Sequence, residues 1–504
     1  MELGQLLKGI DGIGPDTLPA GEVSSVCYSA GQCHPGSLFV AIAGLAHDGH
    51  SFIGEAVSRG ARFVVHQTDI SVPEGITAVQ VPDSRRALGI LAKNYFGDPS
   101  AELTLIGITG TSGKTTVAYL LESILTAAGF CCGVLGTVNY RYQGRVLPAP
   151  NTTPESYEMQ KILREMADAG VTHVLAEVSS HALDLKRVDD CDFDLGIFTN
   201  LSPEHLDYHK DMEDYFRAKK RLFTELLPVS KKSSPQKAVI NADDVWGRKL
   251  MSEISIPALA YGLDSDVTVR QQDIALNGIR AEISVAGKTF AVSSKLVGRF
   301  NLSNMLAAVS AATVLKIEPS FIETGIRNLA CVPGRLERVE SSDGIHVFVD
   351  YAHKPDALNQ VLQTLTDLKR KKIITVFGCG GNRDRTKRPV MGKMATAYSD
   401  VTIVTSDNPR LEEPLAIIAE IEAGIDSSQI KKVTPEQIKR DGRGRSYAII
   451  ADRKAAIVAA IRLAEAEDIV LIAGKGHEDY QILGTKKVPF DDRLVALEAL
   501  KSRS

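Results

Sequence analysis

The chain has 504 residues, 44% of them hydrophobic and 24% charged, with a formal net charge of −4. That length suits about three domains with full cores, and the acidic balance argues against nucleic acid or an anionic membrane as a partner. No apolar run is long enough to span a bilayer, the start MELGQLLKGI lacks the basic and apolar stretches of a signal peptide, and seven cysteines without paired spacing predict neither disulfides nor zinc. A reducing cytoplasm is the expected compartment.

Residues 1–99 read as a small mixed domain. SLFVAIAG (37–44) and ARFVVHQ (61–67) are short apolar strands, and GEAVSRG between them is a short helix closed by Gly60. FGDPSAEL (96–103) carries Gly, Pro and Ser and reads as a linker. The second domain, 100–334, opens on LTLIGIT, a buried strand that runs into a Gly/Thr/Ser loop. Val117, Leu120, Leu121, Ile124 and Leu125 then recur at helical spacing up to Gly129. VTHVLAEVSS (171–180) and LGIFTN (195–200) are further strands ending in polar residues, PVSKKSSPQK (228–237) is a surface loop, and 301–315 is a helix. The third domain, 335–504, repeats the alternation. IHVFVDYAH, KIITVFGCGG, VTIVTSDNPR, YAIIADR and DIVLIAGKGHED are strands feeding polar or glycine-rich loops. The expected fold is α/β in three domains, with a central P-loop parallel-sheet ATPase domain and a C-terminal doubly wound, Rossmann-like domain.

The order strand, glycine-rich loop, Gly-Lys-Thr, helix is a phosphate cradle. Lys114 can reach the β- and γ-phosphates of a nucleotide, and the Thr115 hydroxyl can bind Mg²⁺. The spacing differs from the usual P-loop, because Ile108 stands where its first glycine belongs and the glycines are Gly107, Gly110 and Gly113. By itself the motif means only nucleotide phosphate, and leaves ATPase, kinase and ligase open.

The variant loop GITGTSGKTT (107–116) resembles the GxTGTxGKT loop of the Mur ligase and folylpolyglutamate synthetase superfamily. The resemblance runs on, in order, through NTTPES (151–156), AEVSSHAL (176–183), FTNLSPEHLDYH (198–209), YFRAKKRLF (215–223), INADD (240–244) and GRFNLSNMLAA (298–308). It continues through PGRLE (333–337), DYAHKPDAL (350–358), FGCGGNRDRTKRP (377–389), TSDNPRLEEP (405–414) and AGKGHEDYQ (473–481). It implies ATP-dependent amide-bond formation by a cytoplasmic, monomeric enzyme of peptidoglycan precursor synthesis. The implied substrates are ATP, UDP-MurNAc-L-Ala-D-Glu and meso-diaminopimelate.

The resemblance also assigns roles. Gly110, Thr111, Gly113, Lys114, Thr115 and Thr116 would cradle ATP, with Asn301, Asn304, Arg335 and Asp350 around its base, ribose and phosphates. Read alone, the two asparagines suit a helix N-terminus. Thr115, Glu177, His205 and Lys219 would surround Mg²⁺, and Lys219 would carry a CO₂-derived carbamate. Read alone, His205 is a structural histidine, and Lys219, next to Lys220, belongs to a solvated basic face. Ser29, Thr152, Thr153, Ser180 and Arg187 would contact the UDP-substrate, with Leu45–His47 in the uridine region. Leu185 replaces a glutamine common in such enzymes, and Tyr28–Ser29–Ala30 stands where an Asp-Ser-Arg is usual.

Arg383, Asp407, Asn408, Pro409, Arg410, Gly474 and Glu478 would hold the incoming amino acid. Asp-Asn-Pro predicts a tight turn at a strand end, presenting Arg410 as a planar fork for a carboxylate. Diaminopimelate differs from lysine by one carboxylate, so this arginine argues against a lysine-adding enzyme. NTTP and SSHAL argue against a folate-glutamylating one. Outside the ligases, the rival reading is a nucleotide-gated binding protein that only hydrolyses ATP.

Overall fold

The computed structural model describes residues 1–14, 19–44, 47–69, 71, 73–233, 236–434, 437 and 444–503. It divides into two compact units: Met1–Val269 with Ile283–Phe290 and Asn304–Gly325, and Arg270–Glu282 with Ala291–Ser303 and Ile326–Ser504.

The first unit holds two sheets. The smaller pairs β1 (Ser25–Cys27), β2 (Ser37–Val40), β3 (Phe63–His66) and β4 (Thr77–Gln80) in that order, all parallel. Val26, Leu38, Val40 and Val65 pack there against Leu88 and Leu91 of the helix Ser84–Phe96. The larger sheet contains β5 (Thr104–Thr109), β6 (Cys132–Leu135), β7 (Tyr140–Tyr142), β8 (Arg145–Leu147), β9 (His173–Glu177), β10 (Leu195–Phe198), β11 (Lys237–Asn241) and β12 (Ala258–Tyr261). Its order over these strands is β12-β11-β10-β5-β9-β6-β7-β8, parallel from β12 to β6 and antiparallel beyond. Central strands covered on both faces need continuous apolar runs, which is why β5 and β9 were readable. Three more strands, β13 (Val267–Ala275), β14 (Gly278–Val285) and β15 (Lys288–Ser294), follow in the chain and were not expected.

The expected linker 96–103 is no loose tether. It forms a short 3-10 turn, Pro99–Ala101, with Pro99 and Ser100 buried. The Ser100 hydroxyl accepts the Asp192 N–H at 3.0 Å, and Lys232 donates to the Ser100 carbonyl at 2.5 Å. The loop 228–237 is thus partly anchored where it is described; residues 234 and 235 lie outside the described set.

A seam of charge ties the helix Ser84–Phe96 to the larger sheet's connections. Arg85 pairs with Glu155 at 2.9 Å, Lys93 with Asp192 at 2.9 Å, and Lys186 with Asp83 at 2.7 Å. Arg86 pairs with Asp190, and Tyr28 donates to Glu158 at 2.9 Å.

The second unit is doubly wound, as expected. Its seven-stranded sheet contains β16 (Glu337–Val339), β17 (His346–Asp350), β18 (Ile373–Phe377), β19 (Val401–Val404), β20 (Lys431–Lys432), β21 (Ser446–Ile449) and β22 (Ile469–Ala473). The order is β16-β17-β22-β18-β19-β21-β20, with only β16 antiparallel. Helices Pro355–Leu368, Lys387–Tyr398 and Pro414–Glu422 cover one face, and Arg453–Leu463 and Asp492–Lys501 cover the other. Functional loops of such sheets lie at the strands' C-terminal ends. Here those are the segments after β17, β18, β19 and β22, the last leading into the hairpin β23 (Tyr480–Leu483) and β24 (Lys486–Pro489). Among the described residues no helix is long and apolar enough to cross a membrane.

Candidate active site

In the first unit, β5 ends in the loop 110–113 and the helix Lys114–Ala127 starts directly after it. The loop's glycines are required by space as well as by backbone. Gly110 has φ +147° and Gly113 φ +91°; a Cβ on the first would overlap the Thr199 hydroxyl and on the second the Asn304 amide. Asn304 therefore lies against the loop. Asn200 shapes the loop as well, because its carbonyl accepts the Thr111 N–H and its side chain the Ser112 N–H, each at 2.9 Å. The residue at the helix start, Gly113, has no side chain to cap it, and the positive end of the helix dipole faces the loop. Thr115 and Thr116 are buried in its first turn.

Two lysines converge on one carbonyl. Lys114 Nζ donates to Gly110 O at 2.8 Å and Thr111 O at 2.9 Å, and Lys219 Nζ donates to the same Gly110 O at 2.9 Å. Lys219 is buried, whereas Lys220 reaches the rim and pairs with Glu253 at 2.8 Å. The structure thus separates the neighbours, and the solvated-face reading fits Lys220 alone. Burial, with Lys114 adding repulsion, holds the Lys219 ammonium well below its usual pKa; Glu204 opposes weakly. The shift is in the direction of the neutral amine.

Glu177 closes β9 beneath the loop and is 1% exposed. Its Oε2 accepts from the hydroxyls of Thr115 at 3.0 Å and Thr137 at 2.9 Å, and its Oε1 accepts the Thr137 N–H at 3.0 Å. Thr137 shares a 3.1 Å hydrogen bond with Thr152. Thr153 donates to Glu177 O at 2.8 Å, and Arg187 donates to Thr153 O at 3.3 Å. One network therefore joins Thr115, Glu177, Thr152, Thr153 and Arg187. Arg187 also meets the Glu155 carboxylate at 3.3 Å, on the same oxygen, Oε2, that Arg85 contacts. A buried carboxylate beside hydroxyls is an all-oxygen donor set, which suits Mg²⁺. Among the described residues no group of three His, Cys, Asp or Glu is placed to cage a metal. A cation held here would share its shell with phosphate and water, the habit of Mg²⁺ rather than of structural zinc.

His205 adopts φ +57°. Its ring stacks edge-on with His181 at 4.8 Å and lies 6.1 Å from Tyr215, whose ring is 4.6 Å from Lys219 Nζ. His205 and Lys219 thus flank one tyrosine. Ser180 is buried and shares a 3.0 Å hydrogen bond with His209 Nε2. Ser29 is exposed at the start of the turn Ala30–Gln32. Of the uridine segment, Leu45 and Ala46 lie outside the described residues, and His47 is exposed.

In the second unit, Asp350 ends β17 with both carboxylate oxygens engaged, by Leu336 N at 2.7 Å and Ala352 N at 2.8 Å. Burial raises its pKa while Arg335 opposes. Arg335 stands 5.0 Å over the Tyr351 ring. Asn301 is buried in the first turn of the helix Arg299–Val314 and donates to Val297 O at 2.8 Å. Arg383 is exposed in the loop after β18.

The expected Asp-Asn-Pro turn is displaced. Asp407–Pro409 runs as an irregular segment, and the turn falls two residues later, where Glu412 N donates to Pro409 O at 3.1 Å. The cause is the Asn408 side chain, which accepts Ile482 N at 2.9 Å and donates to Glu478 at 2.9 Å, so it anchors the segment to the hairpin instead of closing a local ring. Arg410 follows at φ +52°, bridged to Leu483, with Nη1 donating to Gly381 O at 2.9 Å. Among the described residues it pairs with no carboxylate. Asp407 is 6% exposed, and among the described residues its Oδ1 accepts no hydrogen bond.

Sequence reasoning missed Thr137, Asn200, Tyr215, His209 and Glu155. Asn200 and Tyr215 stood inside quoted motifs without a role, and Thr137 had no local signal.

Three family profiles match the chain: one described as "Mur ligase family, catalytic domain" at 22–96, "Mur ligase middle domain" at 108–312, and "Mur ligase, glutamate ligase domain" at 334–476. The chain is 46% identical over 485 residues to a protein of Geobacter metallireducens named UDP-N-acetylmuramoyl-L-alanyl-D-glutamate--2,6-diaminopimelate ligase, covering 96% of this chain and 95% of that one. It is 45% identical to the protein of the same name from Geobacter sulfurreducens, covering 100% and 99%. A solved structure titled as that ligase superposes with a TM-score of 0.69 at 31% identity, covering 100% of this chain and 99% of that one. Folylpolyglutamate synthase of Mycobacterium tuberculosis shares the fold, with a TM-score of 0.60 at 19% identity, covering 78% of this chain and 92% of the other. With matches spread from residue 22 to residue 476 and relatives of this likeness over its whole length, the chain belongs to the Mur ligase family.

Proposed function

We propose that this chain is an ATP-dependent ligase that adds meso-diaminopimelate to UDP-MurNAc-L-Ala-D-Glu, acting as a monomer in the cytoplasm. The observation that carries this reading is Arg410, a guanidinium fixed by backbone contacts and, among the described residues, without a carboxylate partner, in a chain whose full-length relatives are named for 2,6-diaminopimelate. A substrate with an extra carboxylate supplies that partner.

In this reading the loop 110–116 and Asn304 hold ATP in the first unit, while Asn301, Arg335 and Asp350 provide nucleotide contacts in the second. Ser29, Thr152, Thr153, Ser180 and Arg187 hold the UDP-substrate. Lys114 exchanges its two loop carbonyls for β- and γ-phosphate oxygens and offsets the charge that otherwise repels an attacking carboxylate. The side-chain carboxylate of D-glutamate attacks the γ-phosphorus, forming an acyl phosphate and releasing ADP. The free amine of diaminopimelate, held by Arg383, Asp407–Arg410, Gly474 and Glu478, then adds to the acyl carbon, and phosphate leaves with its electron pair. Thr115, Glu177, His205 and Lys219 would hold Mg²⁺, which would supply Lewis-acid charge neutralisation. Lys219 enters that set after its neutral amine adds to CO₂ and loses a proton, which turns a buried base into an oxygen ligand.

The test is phosphate release from Mg-ATP with UDP-MurNAc-L-Ala-D-Glu, offering meso-diaminopimelate or L-lysine in parallel. Turnover is expected only with meso-diaminopimelate, and only when all three substrates are present. Turnover with lysine alone would discard the Arg410 argument, and phosphate release from ATP alone would favour a plain ATPase.

A further inference from the structure

The strand β22 runs into Gly474-Lys475-Gly476, and the lysine of that run has no part in the reading above. Its side chain is completely buried. An ammonium is seldom withdrawn from water unless several acceptors replace the solvent. Lys475 has them: Nζ donates to Glu478 Oε2 at 3.1 Å and Asn408 Oδ1 at 3.2 Å, and lies 3.7 Å from Asp407 Oδ1. Gly474 at φ +119° and Gly476 at φ +54° give the backbone the turns that aim this side chain inward.

These contacts connect to Arg410 through the chain. The oxygen of Asn408 that accepts from Lys475 also accepts Ile482 N at 2.9 Å. The carbonyl of the same Ile482 accepts the Arg410 N–H at 3.0 Å. Asn408 Nδ2 closes the group by donating to Glu478 Oε2 at 2.9 Å. Asp407 and Glu478 are two carboxylates held near one another, and Lys475 is the cation set between them. Without it they repel, Asn408 loses a donor, and the hairpin contact that sets the left-handed Arg410 is loosened.

We infer that Lys475 is a positioning residue for the incoming amino acid: it fixes Asp407, Asn408 and Glu478, and through Ile482 the Arg410 fork, and it keeps the local charge suited to a zwitterionic end rather than a bare ammonium. The inference rests on the reading that these residues hold diaminopimelate. It predicts a selective defect. Loss of the lysine charge leaves the group more negative, which disfavours a substrate carrying an extra carboxylate and favours one ending in an ammonium.

The experiment uses full-length Lys475→Met, which keeps the shape without the charge, and Lys475→Gln, which keeps a donor. Steady-state phosphate release is measured with each of the three substrates varied in turn, and L-lysine is compared with meso-diaminopimelate. In both variants the KM for diaminopimelate is expected to rise about tenfold or more, with kcat falling less and the KM values for ATP and the UDP-dipeptide staying within about twofold. The preference for diaminopimelate over lysine should fall in step. An unchanged KM for diaminopimelate overturns the inference, as does a parallel rise in all three KM values. If neither variant shows a cooperative melting transition, the lysine serves the fold alone and the inference fails. Wild-type enzyme that ignores diaminopimelate would instead remove the reading beneath it.

Discussion

Lys219→Ala enzyme is expected to lose ligase turnover by roughly a thousandfold, the scale seen when a preorganised charge is removed from a site of developing charge. Lys219 is 1% exposed and shares the Gly110 carbonyl with Lys114. Two ammonium groups on one buried carbonyl is a poor arrangement, and burial already drives Lys219 towards the neutral amine. A neutral amine has the lone pair that CO₂ requires. In the proposed reading, a carbamate formed from it would be an anion facing Lys114, so the arrangement that disfavours the ammonium would favour the modified form. Short carboxylates added to the alanine variant should restore part of the rate, and labelled bicarbonate should give a carbamate carbon signal in native enzyme that the variant lacks. Lys220→Ala is the control, because its side chain pairs with Glu253 away from the loop. A Lys219→Ala enzyme with a tenth of native turnover would end the carbamate argument.

The second large effect is at Arg410. Arg410→Ala should lower kcat/KM for diaminopimelate by about 10²–10³, the cost of truncating one partner of a sheltered charge pair, while the KM for ATP stays unchanged. Arg410→Lys should restore little of it, since a point charge on a flexible stem replaces a planar fork. The backbone adds a reason for specificity here. Arg410 sits at φ +52° because its N–H, its carbonyl and Leu483 fix it against the hairpin, so the guanidinium is aimed before substrate arrives. Initial rates with each substrate varied in turn separate the outcomes. An equal loss of affinity for ATP would mean that Arg410 supports the fold and not the amino acid.

Parallel strands covered on both faces announce themselves as unbroken apolar runs, so β5, β9, β10, β17, β18, β19 and β22 were legible from composition alone. The strands β13–β15 were not, because they are half exposed and mix polar with apolar residues. The phosphate loop was legible because only glycine fits where Thr199 and Asn304 approach. Thr137 was invisible, since it meets Glu177 only after β6 and β9 have paired. A run of three basic residues could not reveal which lysine turns inward; burial separates Lys219 from Lys220. Lys475 was overlooked for the opposite reason, because a lysine between two glycines reads as a solvated loop residue. The Asp-Asn-Pro turn was misplaced because the sequence shows the asparagine's habit of closing local rings but not the hairpin that competes for its side chain.

The seam of ion pairs along the helix Ser84–Phe96 makes the first unit a gauge of length. Arg85, Arg86, Lys93 and Asp83 each grip a partner on the larger sheet's connections, so the small sheet and the phosphate loop keep one fixed separation. In the proposed reading, an acceptor anchored by its uridine near Ser29 would present its far end at a distance set by its own covalent reach. UDP-MurNAc-L-Ala, one residue short, should occupy the first unit and compete with the full dipeptide, yet release no phosphate. Selection among precursors would then be made by span, with no side chain needed to recognise the residue that is missing.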